Sequence, residues 1–335
     1  MSHCQNAARS TDHRVPPVTS VFMPAASGER SGEPAVVVLL ATHNGVRWLD
    51  EQVDSILAQE GAHVRIVALD DGSTDGTPEW LAARAASEPR LTVLTDDGTG
   101  GSSARNFYRL IETAAVNDGE LVAFSDQDDV WQPDKFSRHA ALLREGNSGV
   151  SSSVLSFWSN GRTELVRKDY PQRDFDYLLE SPGPGCSFLM TPELFALVRE
   201  TLRTSEDARQ VEYHDSLIYA IARGRGLRWH IDGYPSVNYR QHDDNVLGSN
   251  QGASAAFERL RLIRAHWLRQ HATLLTRVAL HVAPEESRPE LARILGYLTG
   301  DGWRNRRQLA RLTPRLRRRP RDQRIIGLLI TIGIW

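Results

Sequence analysis

The alternation of apolar runs of strand length with segments of helical period between residues 35 and 124 constrains the fold most. The predicted strands cover 36–41, 63–69, 91–95 and 121–124. Predicted helices lie between them, around 48–57, 77–86 and 103–115. The first run is apolar throughout, which is typical of a strand buried on both faces. This order, with right-handed crossovers, predicts an α/β fold with a mainly parallel sheet flanked by helices.

After residue 144 the pattern loosens, and the sequence predicts strands at 186–190 and 228–231 and a helix around 212–223. Hydrophobic residues make up 40% and charged residues 24% of the 335 residues, which is typical of a globular protein with a sizeable core. The net charge of -2 gives no reason to expect a nucleic-acid partner. Cys4 and Cys186 form no metal-ligand spacing, and a reducing compartment is expected.

Three regions are expected: a disordered leader (1–34), an α/β domain (35–250) and a helical, basic C-terminal extension (251–335). The leader is rich in Ser, Pro, Ala, Arg and Gly and lacks an apolar core of signal-peptide length. We therefore expect a cytoplasmic protein.

The C-terminal extension carries ten arginines between residues 300 and 324, followed by an apolar run at 325–335. The run is too short to span a membrane, which takes about 20 residues. Arginines beside an apolar segment suit peripheral contact with an anionic membrane surface, here the inner face of the membrane. The alternative is a C-terminal helix or strand that docks on the protein, with the arginines as a solvated face.

The acidic sequence SDQDD at 125–129 directly follows the predicted strand 121–124. Carboxylates two residues apart, such as Asp126 and Asp128, are suited to holding Mg²⁺ or Mn²⁺ against phosphate oxygens. A solvated acidic turn is the alternative. In open α/β sheets, ligands bind at the carboxyl ends of the strands, so the position of this pair favours a site.

A second acidic cluster, Asp70 and Asp71, follows the strand 63–69. Gly72 permits a tight turn, and helix capping explains the downstream polar residues but not two adjacent carboxylates. Such a carboxylate can accept a hydrogen bond from a pyrimidine ring N–H or a ribose hydroxyl. The polar loop 42–45 ends the first strand at the same sheet edge, so the two loops could enclose a nucleoside.

Three segments together, ATHNG (41–45), DDGSTDGT (70–77) and SDQDDVW (125–131), resemble family 2 glycosyltransferases. The resemblance is strongest to bacterial rhamnosyltransferase-like members that build cell-surface polysaccharide, and it runs from about residue 35 to 248. It implies a GT-A fold with a Rossmann-like nucleotide-binding half. It also implies a nucleoside-diphosphate sugar as donor, rhamnose among the candidates, and a glycan or lipid-linked acceptor.

The resemblance also assigns roles to single residues. It implies that Asp128 binds the metal, that Asp126 lies near the ribose and the metal, and that Arg105 contacts a base or phosphate. For Arg105, an arginine on the helix surface is the alternative. The other residues expected to bind the donor are Thr42, Asn44, Asp70, Asp71 and Gln127.

Two downstream segments resemble further parts of the family pattern. In YHDS (213–216), Asp215 would deprotonate the acceptor hydroxyl as it attacks the anomeric carbon. The alternative makes Asp215 the N-cap of a helix at 216–223, and the two roles can coexist. In YRQHDDNVLG (239–248), His242 would complete the metal shell or contact phosphate, and Arg240 would neutralise the departing diphosphate. The residues after His242 depart from the family pattern.

The sequence thus predicts a metal-dependent glycosyltransferase, and inversion is implied by the family. Two rival functions stay open at this point. A nucleotidyltransferase acting on sugar phosphates would need a basic phosphate-binding loop near the first strand, where 42–47 offers only Arg47. A non-catalytic sugar-nucleotide-binding or glycan-binding protein would tolerate loss of Asp215.

Overall fold

Residues 32–95, 101–242 and 266–335 are described by a computed structural model. The predicted leader lies almost wholly outside the described residues. So do residues 243–265, which contain the departure from the family pattern and the start of the expected extension.

The first half of the chain forms the predicted parallel sheet. Its strands are β1 (Ala35–Thr42), β2 (His63–Asp70), β3 (Leu91–Leu94) and β4 (Leu121–Ser125). The crossovers between them are α1 (Leu49–Leu57), α2 (Thr77–Ser87) and α3 (Ser103–Thr113). The strands pair in the order β3-β2-β1-β4, all in parallel, so their carboxyl ends share one edge. β1 is buried along nearly its whole length because its alternating side chains enter two separate hydrophobic clusters, one on each face of the sheet.

The second half extends this sheet. Its strands are β5 (Val130–Trp131), β6 (Gly149–Trp158), β7 (Thr163–Val166), β8 (Leu189–Met190) and β9 (Trp229–Gln241). Among the described residues the order is β3-β2-β1-β4-β8-β6-β9-β5, with β7 beside β6. The short β8 runs antiparallel to both β4 and β6, whereas β6 and β9 are parallel. The α/β fold with helices around one sheet is confirmed.

Strand extents in this half differ from the sequence prediction. Gly185–Ser187 forms a 3-10 turn, so only the end of the predicted strand 186–190 belongs to the sheet. β9 is far longer than predicted. The sequence did not predict β6, because buried serines interrupt the run of apolar residues in this strand. Ser152 Oγ lies 2.6 Å from Ser236 Oγ, and Ser151 Oγ donates to Pro182 O (3.1 Å), so these hydroxyls are satisfied inside the core.

Helices cover the sheet and form the C-terminal part of the chain. The first four are α4 (Lys135–Arg144), α5 (Pro192–Thr204), α6 (Glu206–Arg209) and α7 (His214–Gly224). The last four are α8 (Trp267–Val282), α9 (Arg288–Thr299), α10 (Trp303–Leu316) and α11 (Pro320–Ile332). α8 packs closely on α7, since a Cβ at Gly224 would lie 2.9 Å from Ala279 Cα. None of the described helices has the length and apolar character needed to cross a membrane.

Candidate active site

Thr42 and Asp70 end two neighbouring strands and are paired in register. Thr42 Oγ1 donates to Asp70 Oδ1 at 2.8 Å, and Thr42 is 1% exposed. The Asp70 carboxylate also accepts from the backbone N–H (2.8 Å) and the hydroxyl (2.6 Å) of Ser73. The structure therefore brings both predicted residues together at the strand ends, with the Asp70 carboxylate fixed by its own turn.

Asn44 joins the first two strand-end loops. Its backbone is in the left-handed region (φ 50°), where asparagine is better tolerated than most residues. The Asn44 N–H donates to Ser73 Oγ (2.7 Å), and Asn44 Oδ1 accepts from the Thr74 N–H (2.8 Å). Asn44 therefore holds the loop after β1 against the loop after β2, and a contact with the donor stays a prediction.

Gln127 joins the loop after β4 to the loop after β1. Its Oε1 accepts from the His43 N–H (2.7 Å), and its Nε2 donates to the His43 carbonyl (2.8 Å). The loops approach so closely that a Cβ at Gly45 would lie 2.2 Å from Gln127 Cδ. The described contacts of the Gln127 amide therefore shape the loop. Its predicted contact with the donor stays a prediction.

Side chains of helix α3 hold the carboxyl ends of β1 and β2. Asn106 is buried, and its Nδ2 donates to the carbonyls of Thr42 and Leu69, each at 3.2 Å. Arg109 Nη2 donates to Asp71 Oδ1 at 2.7 Å, so an ion pair fixes this second predicted carboxylate. Asn106 is not among the residues predicted from the sequence to form the site. Arg105, one position earlier, is exposed on α3, and its contact with a donor stays a prediction.

Asp128 and His242 face each other although they lie far apart in the chain. Asp128 Oδ2 is 2.8 Å from His242 Nε2, and each side chain is 14% exposed. The His242 ring stacks on Trp48, with ring centroids 4.1 Å apart, so its orientation is fixed. Asp128 and His242 thus offer one carboxylate and one imidazole side by side, and their predicted role as metal ligands, together with Asp126, stays a prediction.

Asp126 and Asp129 lie on either side of Asp128 in the same loop. Burial, followed by the negative charges of Asp128 and Asp215, raises the pKa of Asp126 to about 7. Asp129 is fully buried, and burial followed by the charge of Asp128 raises its pKa well above the ordinary value. A concentration of carboxylates with raised pKa values favours a bound cation, which would relieve the repulsion.

Asp129 is a residue that sequence reasoning missed as part of this site. Its N–H donates to Gln52 Oε1 (2.6 Å), and its Oδ1 accepts from the Arg240 N–H (3.0 Å). Potential ligand atoms of Asp126, Asp129 and Cys186 lie within 4.8 Å of one another. Asp129 is visible in the sequence as the last residue of the acidic run. The sequence does not show, however, that this one member of the run is buried.

Arg240 contacts the acidic loop from β9. Its Nε donates to the Asp128 carbonyl (2.7 Å), its guanidinium pairs with Glu51, and the group lies 4.6 Å from the Phe157 ring centroid. Arg240 therefore positions the loop that carries Asp128. Its predicted contact with the departing diphosphate stays a prediction.

Lys135 and Cys186 form the buried floor beneath the acidic loop. Lys135 Nζ donates to the Cys186 carbonyl at 2.6 Å and lies 3.1 Å from the Trp131 ring centroid. Burial lowers the pKa of Lys135 to about 7. Burial, reinforced by the charge of Asp129, raises the pKa of the Cys186 thiol well above its ordinary value. The thiol is therefore protonated at neutral pH, which supports a packing role.

Asp215 lies in the first turn of α7 and is half-buried. Its Oδ1 accepts from the Ser216 N–H (2.6 Å), and its Oδ2 accepts from the Ser181 hydroxyl (2.8 Å). The alternative that made Asp215 the N-cap is wrong, because the extended residue Tyr213 takes that position and the helix begins at His214. The charge of Asp215 also raises the pKa of Asp126, so the two carboxylates lie close enough to interact electrostatically.

The sequence profile described as "Glycosyl transferase family 2" matches residues 37–198. The dTDP-rhamnosyl transferase RfbG of Shigella flexneri is 32% identical over 299 residues, which cover 88% of this chain and 100% of that protein. The chain belongs to glycosyltransferase family 2. It is therefore a glycosyltransferase, and nucleotidyl transfer and non-catalytic binding are set aside.

Solved structures show the same fold as this family 2 glycosyltransferase. S. aureus TarS 1–349 in complex with UDP-GlcNAc aligns with a TM-score of 0.54 at 15% identity, over 90% of this chain and 81% of that one. The mannosyltransferase PcManGT from Pyrobaculum calidifontis, in complex with GDP-Man and Mn²⁺, aligns with a TM-score of 0.50 at 18% identity, over 91% and 77%. The predicted GT-A fold is confirmed.

Proposed function

We propose that this glycosyltransferase moves rhamnose from a dTDP sugar to a hydroxyl of a glycan or lipid-linked acceptor in cell-surface polysaccharide synthesis, with inversion and with a divalent cation. The similarity to RfbG over that protein's whole length supports the donor. One observation supports the reaction most: the Asp215 carboxylate, on α7, is held by the Ser216 N–H (2.6 Å) and the Ser181 hydroxyl (2.8 Å), and its charge acts on Asp126 in the acidic loop.

Donor binding is assigned to the strand-end edge. Thr42 and Asp70, fixed to each other at 2.8 Å, would hold the nucleoside between the first two loops. Asp128 and His242, with Asp126, would hold Mn²⁺ or Mg²⁺. When bound, the cation would neutralise charge on the diphosphate. The Mn²⁺ in the PcManGT structure supports this assignment by analogy of fold.

Asp215 is assigned the role of general base. An aspartate side chain is ionised at neutral pH and needs only to be positioned. Its carboxylate would take the proton of the acceptor hydroxyl while that oxygen forms a bond to the anomeric carbon. The bond from this carbon to the diphosphate oxygen breaks on the opposite side, so the configuration inverts.

The C-terminal helices suit contact with an anionic lipid surface. Leu328 (61% exposed) and Ile332 (51%) lie one turn apart on α11, and Trp303 is 60% exposed at the start of α10. Exposed arginines accompany them at 304, 307, 311, 319, 321 and 324. Apolar side chains beside arginines favour the interface of an anionic membrane, where a lipid-linked acceptor would be found.

Calorimetric titration tests the donor proposal. We expect dTDP-rhamnose to bind in the presence of Mn²⁺ and far more weakly after chelation, and UDP-GlcNAc and GDP-mannose to bind less tightly. If neither dTDP-rhamnose nor dTDP binds with Mn²⁺ present, the proposed donor is wrong.

Flotation with phosphatidylglycerol vesicles tests the membrane proposal. The full chain should float with these vesicles and much less with phosphatidylcholine vesicles. The double variant Leu328→Glu/Ile332→Glu should stay in the lower fraction. Leu165→Glu is the matched control, because Leu165 is a comparably exposed leucine (52%) on β7. Equal flotation of the double variant and the control would dismiss the lipid contact.

A further inference from the structure

The end of α10 and the residues that connect it to α11 dock along residues 174–181, next to the proposed base. Arg315 pairs with Asp174, its Nε lying 2.7 Å from Oδ2. The backbone continues the contact, since the Phe175 N–H donates to the Arg315 carbonyl at 2.9 Å. Arg317 Nη1 donates to the Leu179 carbonyl. A stretch of the C-terminal helical region thus lies directly against the segment that leads to Ser181.

Arg318 is the buried centre of this contact, with a side chain that is 0% exposed. Its Nη2 lies 3.2 Å from Glu180 Oε1, and its Nε lies 3.7 Å from Asp176 Oδ2. The Arg318 backbone N–H also donates to Glu180 Oε2 (3.0 Å). Burying a guanidinium is costly unless it is paired, and these two carboxylates provide the pairing.

Ser181 connects this buried arginine to Asp215. Arg318 Nη2 donates to the Ser181 carbonyl, while the Ser181 hydroxyl lies 2.8 Å from Asp215 Oδ2. The same hydroxyl is 2.6 Å from the Gly183 carbonyl, so its single hydrogen has two acceptors within reach. An ionised carboxylate is the stronger acceptor, which favours the bond to Asp215.

We infer that Arg318 is a positioning residue for the base: it fixes the backbone of Ser181, whose hydroxyl orients the Asp215 carboxylate toward the acceptor. This inference rests on the proposed role of Asp215. The consequence is that the C-terminal helical region supplies part of the catalytic geometry. A carboxylate with one oxygen held by Ser216 N–H and the other by Ser181 has little freedom to rotate.

Steady-state kinetics of Arg318→Met and Ser181→Ala test the inference. The assay follows dTDP release from dTDP-rhamnose with water as acceptor and Mn²⁺ present. Loss of orientation should lower kcat by about 10- to 100-fold, since small misplacements of a catalytic group have effects of that size. The Kd for dTDP-rhamnose should stay unchanged. Losing a hydrogen bond to the ionised carboxylate should also move the acid limb of the pH–rate profile upward.

Arg277→Met is the matched control, because Arg277 is an exposed arginine of the C-terminal helices, on α8, and its Nη1 lies 3.3 Å from Asp207 Oδ1. Its kcat and pH profile should equal those of the unchanged protein. Ser181→Thr, which keeps a hydroxyl, should recover most of the activity lost in Ser181→Ala. If Arg318→Met does not fold, Ser181→Ala still tests whether the Ser181 hydroxyl orients the Asp215 carboxylate.

Wild-type kcat and pH profile in Ser181→Ala would overturn the positioning role, provided Asp215→Asn is inactive. Activity in Asp215→Asn would instead reject the proposed base. The two failures are therefore distinguishable.

Discussion

The donor-binding edge and the surroundings of Asp215 are built in different ways. At the donor edge, neighbouring strand-end loops hold one another, as when Asn44 bonds Ser73 and Thr74 or when Gln127 bonds His43. Around Asp215, the supporting groups come from separate regions: Ser181 precedes α5, and Arg318 lies between α10 and α11. At the donor edge the strand-end loops therefore support one another, whereas the proposed base Asp215 is supported in part by the C-terminal region of the chain.

If the donor edge and the surroundings of Asp215 are built separately, substitutions at Asp215 should lower turnover, and substitutions at the donor edge should weaken donor binding. Asp215→Asn should have the largest effect, because losing a general base costs about 10²- to 10⁴-fold in rate. Donor affinity should be retained, since Asp215 lies outside the strand-end loops. Parallel measurement of kcat and of dTDP-rhamnose Kd by calorimetry checks this. A large loss of donor affinity would show that Asp215 belongs to the donor edge instead.

Asp128→Asn should instead impair metal-dependent donor binding. Removing the carboxylate that faces His242 should weaken Mn²⁺-dependent donor binding by at least about 10- to 100-fold, the effect of losing even an outer-shell partner of a metal site. Titration of Mn²⁺ at fixed dTDP concentration measures it. Asp118→Asn, at an exposed aspartate, is the control and should bind as the unchanged protein does. Equal affinities in the two variants would reject Asp128 as a metal ligand.

Asn106→Leu tests the support behind the donor edge. The change leaves the carbonyls of Thr42 and Leu69 without its buried amide, which should lower the free energy of unfolding by about 1–3 kcal/mol. Urea denaturation measures this loss, and donor affinity should fall with it. Gln308→Leu, at an exposed amide on α10, should change neither quantity. Unchanged stability in Asn106→Leu would show that the amide does not hold the strand ends.

His214 links the two regions and gives the smallest expected effect. It lies beside Asp215, yet its ring packs on Phe107 of α3, with centroids 3.9 Å apart. Burial lowers the pKa of His214 to about 4. The folded protein therefore binds fewer protons than the unfolded chain below pH 6.5, and stability falls as the pH falls. The loss should be about 1 kcal/mol at pH 5.5.

Thermal or urea denaturation from pH 7 to 5 measures this effect. His214→Leu should show a flatter dependence on pH than the unchanged protein. His63→Leu is the control, because the His63 side chain is 77% exposed, and its pH dependence should match that of the unchanged protein. If all three proteins lose stability in parallel, buried His214 does not contribute to the acid sensitivity.

The same division explains what the sequence could predict. The strands β1 to β4 were predictable because continuous apolar runs end in turn residues, which places Thr42, Asp70 and Asp126 at one edge. β6 escaped prediction, since its serines are satisfied only by distant partners such as Pro182 and Ser236. The sequence around Ser181 and Arg318 gives no indication of their role, because that role depends on a contact between residues 137 positions apart.

Turnover of dTDP-rhamnose by the unchanged protein tests the central claim most directly. The measurement is dTDP release with saturating Mn²⁺, compared with nucleotide release from UDP-GlcNAc and GDP-mannose under the same conditions. We predict release from dTDP-rhamnose that chelation abolishes and that exceeds release from the other two donors. Release from either of the others alone, or release from dTDP-rhamnose that chelation leaves unchanged, would contradict the account.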